Sequence, residues 1–129
     1  MEHACVFDAG HNLLRVTVAG PFTLTEAQAT FLETLDAVVK YQTRKVLIDG
    51  RAVTGEPQTI ERFFYGKFVA SAVAEVDRHT LGYAPQFAYV LTEPVLDAHR
   101  FGETVATNRG MHIKAFDNPG AAERWLGVA

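Results

Sequence analysis

Five polar residues near the middle of the chain offer the best binding chemistry in the sequence: Asp49, Arg51, Thr54, Thr59 and Arg62. They follow a short apolar run that predicts a buried strand. In open α/β sheets, ligands bind beyond the carboxyl ends of such strands, and the helix that follows presents free N–H groups. The group could therefore bind an anion or a partner's carboxylate. The alternative is structural, with Asp49 and Arg51 forming an ion pair and Thr59 capping the helix.

The second helical segment, residues 60–76, carries apolar side chains around almost its whole circumference. We single out four of its aromatic residues: Phe63, Phe64, Tyr65 and Phe68. A helix that is apolar all round is usually buried on several sides, and exposed apolar patches usually mark an interface or a ligand groove. Three interpretations remain open for this helix: a homodimer or other protein interface, a pocket for an apolar ligand, and ordinary burial within one chain.

Residues that could perform catalysis or bind a metal are scattered. His99 and Glu103 have helical i, i+4 spacing, but a metal site needs three or four ligands and no third one is placed. Cys5 lies in a predicted strand with no base nearby, and we interpret it as a buried, inert thiol. The sequence contains no nucleophile elbow, zinc-protease motif, phosphate loop or dinucleotide-binding glycine motif. We expect a non-catalytic protein without metal or cofactor.

The elements that position these residues can be located from hydrophobic spacing and turn signals. Five runs predict strands: residues 4–8, 13–18, 45–49, 86–91 and 111–116. Helices are predicted after Thr23 as far as Tyr41, over residues 60–76, from Pro94 to Gly110, and after Asn118. Ala98, Phe101, Gly102 and Val105 form the expected core stripe of the third helix. The order ββαβαβαβα predicts one α/β domain over residues 1–129, with a mostly parallel mixed sheet.

The composition is that of an ordinary globular chain. Of 129 residues, 48% are hydrophobic and 21% are charged, which excludes a disordered protein. The net charge of −3 argues against nucleic-acid binding, which usually shows a basic excess. The single cysteine favours a reducing compartment, and we find neither a leader nor a membrane-length apolar run. We therefore expect a cytoplasmic protein without stable membrane insertion.

Several stretches carry a family likeness. They are Val46-Leu47-Ile48-Asp49-Gly50-Arg51, Arg62-Phe63, Arg100-Phe101-Gly102-Glu103-Thr104-Val105-Ala106-Thr107-Asn108-Arg109-Gly110, Ala115-Phe116 and Trp125-Leu126. With them, nearly the whole chain resembles the SpoIIAA-like branch of the STAS fold, close to the CRAL-TRIO-like group. STAS proteins that act as anti-anti-sigma factors carry a phosphorylatable serine at the end of the third strand. Arg51 fills that position here; Thr54 or Thr59 could substitute for the serine, and nothing in the sequence selects either.

The resemblance implies a STAS-type regulatory or protein-interaction module, and the apolar helix leads us to expect a homodimer. CRAL-TRIO-like relatives imply a second hypothesis, a carrier of a lipid or small apolar ligand in a pocket under the second helix. A third hypothesis is an enzyme or sensor for an anionic metabolite near Arg51 and Arg62.

Overall fold

The computed structural model describes residues 1–128 of the chain. Five strands form one sheet in the order of the sequence: β1 (Glu2–Asp8), β2 (Leu13–Pro21), β3 (Lys45–Thr54), β4 (Gln86–Val90) and β5 (Ile113–Phe116). The β1–β2 hairpin is antiparallel, and each later strand pairs in parallel with the one before it. The predicted α/β fold with a mostly parallel mixed sheet is confirmed.

Four α-helices cover the sheet unequally: α1 (Leu24–Tyr41), α2 (Thr59–Val76), α3 (Phe101–Asn108) and α4 (Pro119–Leu126). A π-helical turn, Asp77–Leu81, continues α2. The first three helices pack on one face of the sheet and α4 packs on the other. Side chains alternate between faces along a strand. In β4, Phe87 and Tyr89 accordingly belong to the larger core, whereas Ala88 and Val90 belong to the smaller one under α4.

Two of the three predicted helix caps are confirmed. The Thr23 hydroxyl accepts a hydrogen bond from the Glu26 N–H at 3.2 Å, and Asn118 caps α4 in the same way. The prediction that Thr59 caps α2 is wrong, because the cap lies one residue earlier at Gln58. The Gln58 N–H donates to the Glu61 carboxylate at 2.8 Å, which gives a hydrogen-bond partner to a backbone N–H that the helix itself leaves unpaired. Thr59 is therefore the first helical residue.

The prediction that the third strand ends at Asp49 is also wrong, because β3 continues to Thr54. The reason is a long-range partner: β2 runs on to Pro21 and supplies paired residues as far as Thr54. A register shift between Thr17 and Ala19 accommodates the extra length. Arg51 therefore lies within the sheet, and Thr54 is the last residue of a strand.

The third helix is shorter than predicted, since α3 begins at Phe101 instead of near Pro94. The Asp97 carboxylate accepts the Phe101 N–H at 3.2 Å and so starts the helix late. Ala98 is exposed and does not join the predicted core stripe. His99 lies outside the helix, so its predicted i, i+4 pairing with Glu103 is wrong.

Over residues 1–128, no helix has both the length and the apolarity that a bilayer-spanning segment needs.

Candidate functional site

A mostly apolar pocket with a volume of about 140 Å³ lies between the sheet and the helices of its larger face. Six of its lining residues come in pairs from α1, from β3 and from the segment between β4 and α3: Ala27 and Phe31, Ile48 and Val53, Val95 and Leu96. An apolar cavity of about 150 Å³ is large enough to bind benzene. The pocket can therefore hold a small apolar molecule.

Two tyrosines give this pocket its main uncharged polar feature. Tyr65 on α2 and Tyr89 on β4 both line it, and their hydroxyl oxygens are 2.8 Å apart. Burial raises the pKa of Tyr65 to about 12, although the hydrogen bond with Tyr89 opposes the change. Burial also raises the pKa of Tyr89 well above its ordinary value, reinforced by the nearby Tyr65. Both hydroxyls are therefore protonated and neutral at physiological pH.

Arg62 and Asp97 also line the pocket, but the protein itself uses their charges. The Arg62 guanidinium donates to the carbonyl oxygens of Pro94, at 2.9 Å, and Val95. It also lies 3.5 Å from the Asp97 carboxylate, and the Arg62 side chain is only 12% exposed. These bonds fix the segment between β4 and α3 as one wall of the pocket. An anionic ligand would have to compete with three groups that already hold this cation.

The contact between α2 and α3 fixes a second wall. Gly66 on α2 is buried, and a Cβ placed there would lie 2.6 Å from the carbonyl oxygen of Gly102 on α3. It would also lie 3.1 Å from the Val105 side chain. Gly102 itself lines the pocket. The two helices therefore approach as closely as they do because residue 66 has no side chain, and this approach sets the position of α3 beside the pocket.

The five polar residues proposed from the sequence do not form one site. Asp49 and Arg51 bind each other through two hydrogen bonds between their side chains, Nε to Oδ1 at 3.0 Å and Nη2 to Oδ2 at 2.8 Å. The Arg51 hydrogen bond lowers the pKa of Asp49 against the opposing effect of burial. Thr54 and Thr59 are exposed at the end of β3 and the start of α2. Arg62 is the one member of the five that lines the pocket.

The four aromatic residues of α2 lie in three different surroundings. Tyr65 faces the pocket, whereas Phe64 and Phe68 line a shallow groove between α2 and the start of α1. Phe63 contacts Phe64 edge to face and lies under the Arg109 guanidinium, 5.4 Å from its ring centre. The expected exposed apolar surface is present on the outside, since Phe64 is 46% exposed and Ile60 is 53% exposed.

Sequence reasoning overlooked Tyr89 and Asp97 as site residues. Tyr89 shares a face with Phe87 in a buried strand, and a buried tyrosine hydroxyl needs a hydrogen-bond partner. That requirement was a usable signal, although it did not identify Tyr65 as the partner. Asp97 gave no comparable signal, because its role depends on contacts with Arg62 and Phe101 that only the fold creates.

Other candidate chemistry finds no support in the geometry. No group of three or more potential metal-binding side chains occurs within residues 1–128. The Glu103 carboxylate instead accepts the Ala115 N–H at 3.3 Å. The prediction that Cys5 is buried is wrong, because it lies exposed on β1 at the edge of the sheet. Partial burial and the nearby Glu33 raise the pKa of Cys5, which disfavours the reactive thiolate.

Comparisons with known proteins return no match, either to a protein-family model or to a curated protein.

Proposed function

We propose that the protein binds a small, uncharged, mostly apolar ligand in the pocket beneath α2. The observation that carries this proposal is the apolar lining of a 140 Å³ space that lies directly against the main core. A ligand bound there would exchange its contacts with water for contacts with aliphatic and aromatic side chains. This transfer stabilises the complex by about 25 cal/mol for each Å² of apolar surface buried. The CRAL-TRIO-like side of the resemblance favours the same class of ligand.

Binding without catalysis fits the polar groups of the pocket. The two tyrosine hydroxyls are neutral, and Arg62 and Asp97 are engaged with each other and with the backbone. Neither a charged nucleophile nor a poised general base stands among these groups. We therefore favour a carrier or ligand-sensing domain of STAS-like type over an enzyme. The anionic-metabolite hypothesis is less favoured, because the guanidinium groups of Arg51 and Arg62 are already paired.

The test is a titration with α-methylstyrene, an uncharged apolar probe, followed by NMR chemical shifts. For a ligand of this size we expect a Kd on the order of 0.1–1 mM. The pocket-filling variant Ala27→Leu should weaken binding at least about tenfold, because Ala27 is buried and lines the pocket. Ala29→Leu is the matched control, since Ala29 is exposed on the same helix and does not contribute to the lining.

The proposal fails if the wild-type protein does not bind the probe up to the solubility limit of the probe. It also fails if folded Ala27→Leu binds as tightly as the wild type. Thermal unfolding of both variants establishes that they are folded, and leucine is a good helix former at either position.

Self-association through the outside of α2 is the second candidate function, favoured by the exposure of Ile60 and Phe64. The proposed occupant is a second copy of the chain, as the sequence led us to expect. Light scattering at high concentration should show a dimer that Phe64→Asp converts to a monomer. Leu32→Asp, on the 47% exposed Leu32 of α1, is the control and should leave the dimer intact. A monomeric wild type at high concentration rejects this candidate.

A cytoplasmic location stays a prediction from the sequence.

A further inference from the structure

The hydroxyl pair of Tyr65 and Tyr89 contains more donors than its own bond uses. The two oxygens are 2.8 Å apart, so one hydroxyl donates its proton to the other. Each neutral hydroxyl carries one proton, and the mutual bond therefore uses one of two. Among residues 1–128, neither tyrosine hydroxyl makes a hydrogen bond to any group except the other. One O–H donor of the pair is thus left over between residues that line the pocket.

We propose that this remaining O–H donor selects ligands that carry a hydrogen-bond acceptor, such as the carbonyl oxygen of a ketone, aldehyde or ester, on an apolar frame. The inference rests on the proposed function and specifies the ligand class for the same pocket. A buried donor without an acceptor is unfavourable, and a ligand oxygen in the pocket would remove that cost. Sites built to hydrogen-bond one group discriminate against analogues that lack it.

Charge in the pocket favours a neutral acceptor over a carboxylate. Both tyrosines hold their protons at physiological pH, so the donor is always available. The Arg62 cation is occupied by two backbone carbonyls and by Asp97, and the Asp97 carboxylate would repel a second negative charge. The polar group of the ligand is therefore a single uncharged oxygen or nitrogen acceptor.

Two probes of nearly equal shape isolate this acceptor. Acetophenone carries a carbonyl oxygen where α-methylstyrene carries a methylene group, and the rest of each molecule is the same. One neutral hydrogen bond corresponds to roughly a 3- to 10-fold change in Kd. We expect the wild-type protein to bind acetophenone tighter than α-methylstyrene by about this factor, as measured by NMR titration of both probes.

The double variant Tyr65→Phe, Tyr89→Phe removes both hydroxyls together. Either single variant would leave one hydroxyl with its proton available, so only the double variant should abolish the preference for acetophenone. Removing both partners of a buried hydrogen bond is close to neutral for stability, so this variant should fold. The matched control is Tyr83→Phe, because the Tyr83 hydroxyl donates to the Thr43 carbonyl and does not line the pocket.

The outcomes separate the two proposals. A wild-type preference for acetophenone that the double variant loses and Tyr83→Phe retains supports the inference. Equal affinities for the two probes, or a preference that survives in the folded double variant, overturns the inference while binding in the pocket stands. Binding of neither probe overturns the proposed function, and the inference with it.

Discussion

Substitution of Gly66 by alanine should destabilise the protein, although alanine is the better helix former. The added Cβ would lie 2.6 Å from the Gly102 carbonyl oxygen, about 0.8 Å closer than the 3.4 Å at which ordinary contact begins. The obstructing atom is backbone and cannot rotate away. The helices α2 and α3 must therefore separate, or α3 must tilt, and Gly102 would carry part of the pocket wall with it.

The expected magnitude combines two opposing effects. Overpacking a close contact costs about 1–3 kcal/mol. The change from glycine to alanine inside a helix returns about 1 kcal/mol. The net loss in the free energy of unfolding should be up to about 2 kcal/mol, which lowers the Tm of a domain of this size by up to roughly 12 °C.

The matched control is Gly102→Ala, at the other glycine of the same contact. A Cβ at residue 102 would lie 3.5 Å from the Arg62 carbonyl oxygen, which is ordinary contact. This variant should be neutral or up to about 1 kcal/mol more stable. Urea unfolding monitored by circular dichroism measures both variants. If Gly66→Ala were as stable as Gly102→Ala, the close approach of α2 and α3 would be refuted.

Three further predictions concern pH, the pocket wall and the edge strand. Burial raises the pKa of Tyr65 to about 12 and the pKa of Tyr89 also well above 10, so the unfolded chain loses these protons first. Urea unfolding should show full stability below about pH 10 and a loss from about pH 10 to 12 of up to about 1.4 kcal/mol per pH unit for each tyrosine. The fall should be much smaller in the double phenylalanine variant, which keeps only the contributions of other groups with raised pKa values, such as Tyr83. Arg62→Met should lower the free energy of unfolding by about 1.5–3 kcal/mol, as measured by thermal unfolding. Arg51→Met breaks a more exposed ion pair and should lower it by less than about 1 kcal/mol. Similar losses in the two variants would contradict the role of Arg62 in fixing the segment between β4 and α3 as a pocket wall. Cys5 should react fully with a maleimide at about pH 7 because it is exposed, but slowly because its pKa is raised. Complete protection of Cys5, or a reaction rate above that of a model thiol, would contradict this account.

The sheet could be predicted because its signals are local. Alternation in β4 assigns Phe87 and Tyr89 to one face and Ala88 and Val90 to the other, and the structure has the same assignment. Thr23 and Asn118 each cap the helix that begins immediately after them, so nearby residues alone determine those starts.

Element ends that depend on distant partners could not be predicted in this way. The extension of β3 to Thr54 needs the far end of β2, and the late start of α3 needs Asp97 in a segment held by Arg62. The pocket has the same origin. Tyr65 stood out because of its apolar helix, but its hydroxyl partner, Tyr89, lies 24 residues away and is brought to it only by packing of α2 on the sheet.

The location of a bound probe tests the central claim most directly. Intermolecular NOEs should connect α-methylstyrene with the methyl groups of Ile48, Val53 and Val95. The first two line the pocket from β3, and Val95 lines it from the segment between β4 and α3. Contacts instead to Ile60, on the outside of α2, or no NOEs to the three pocket residues from a probe that does bind, would contradict the account.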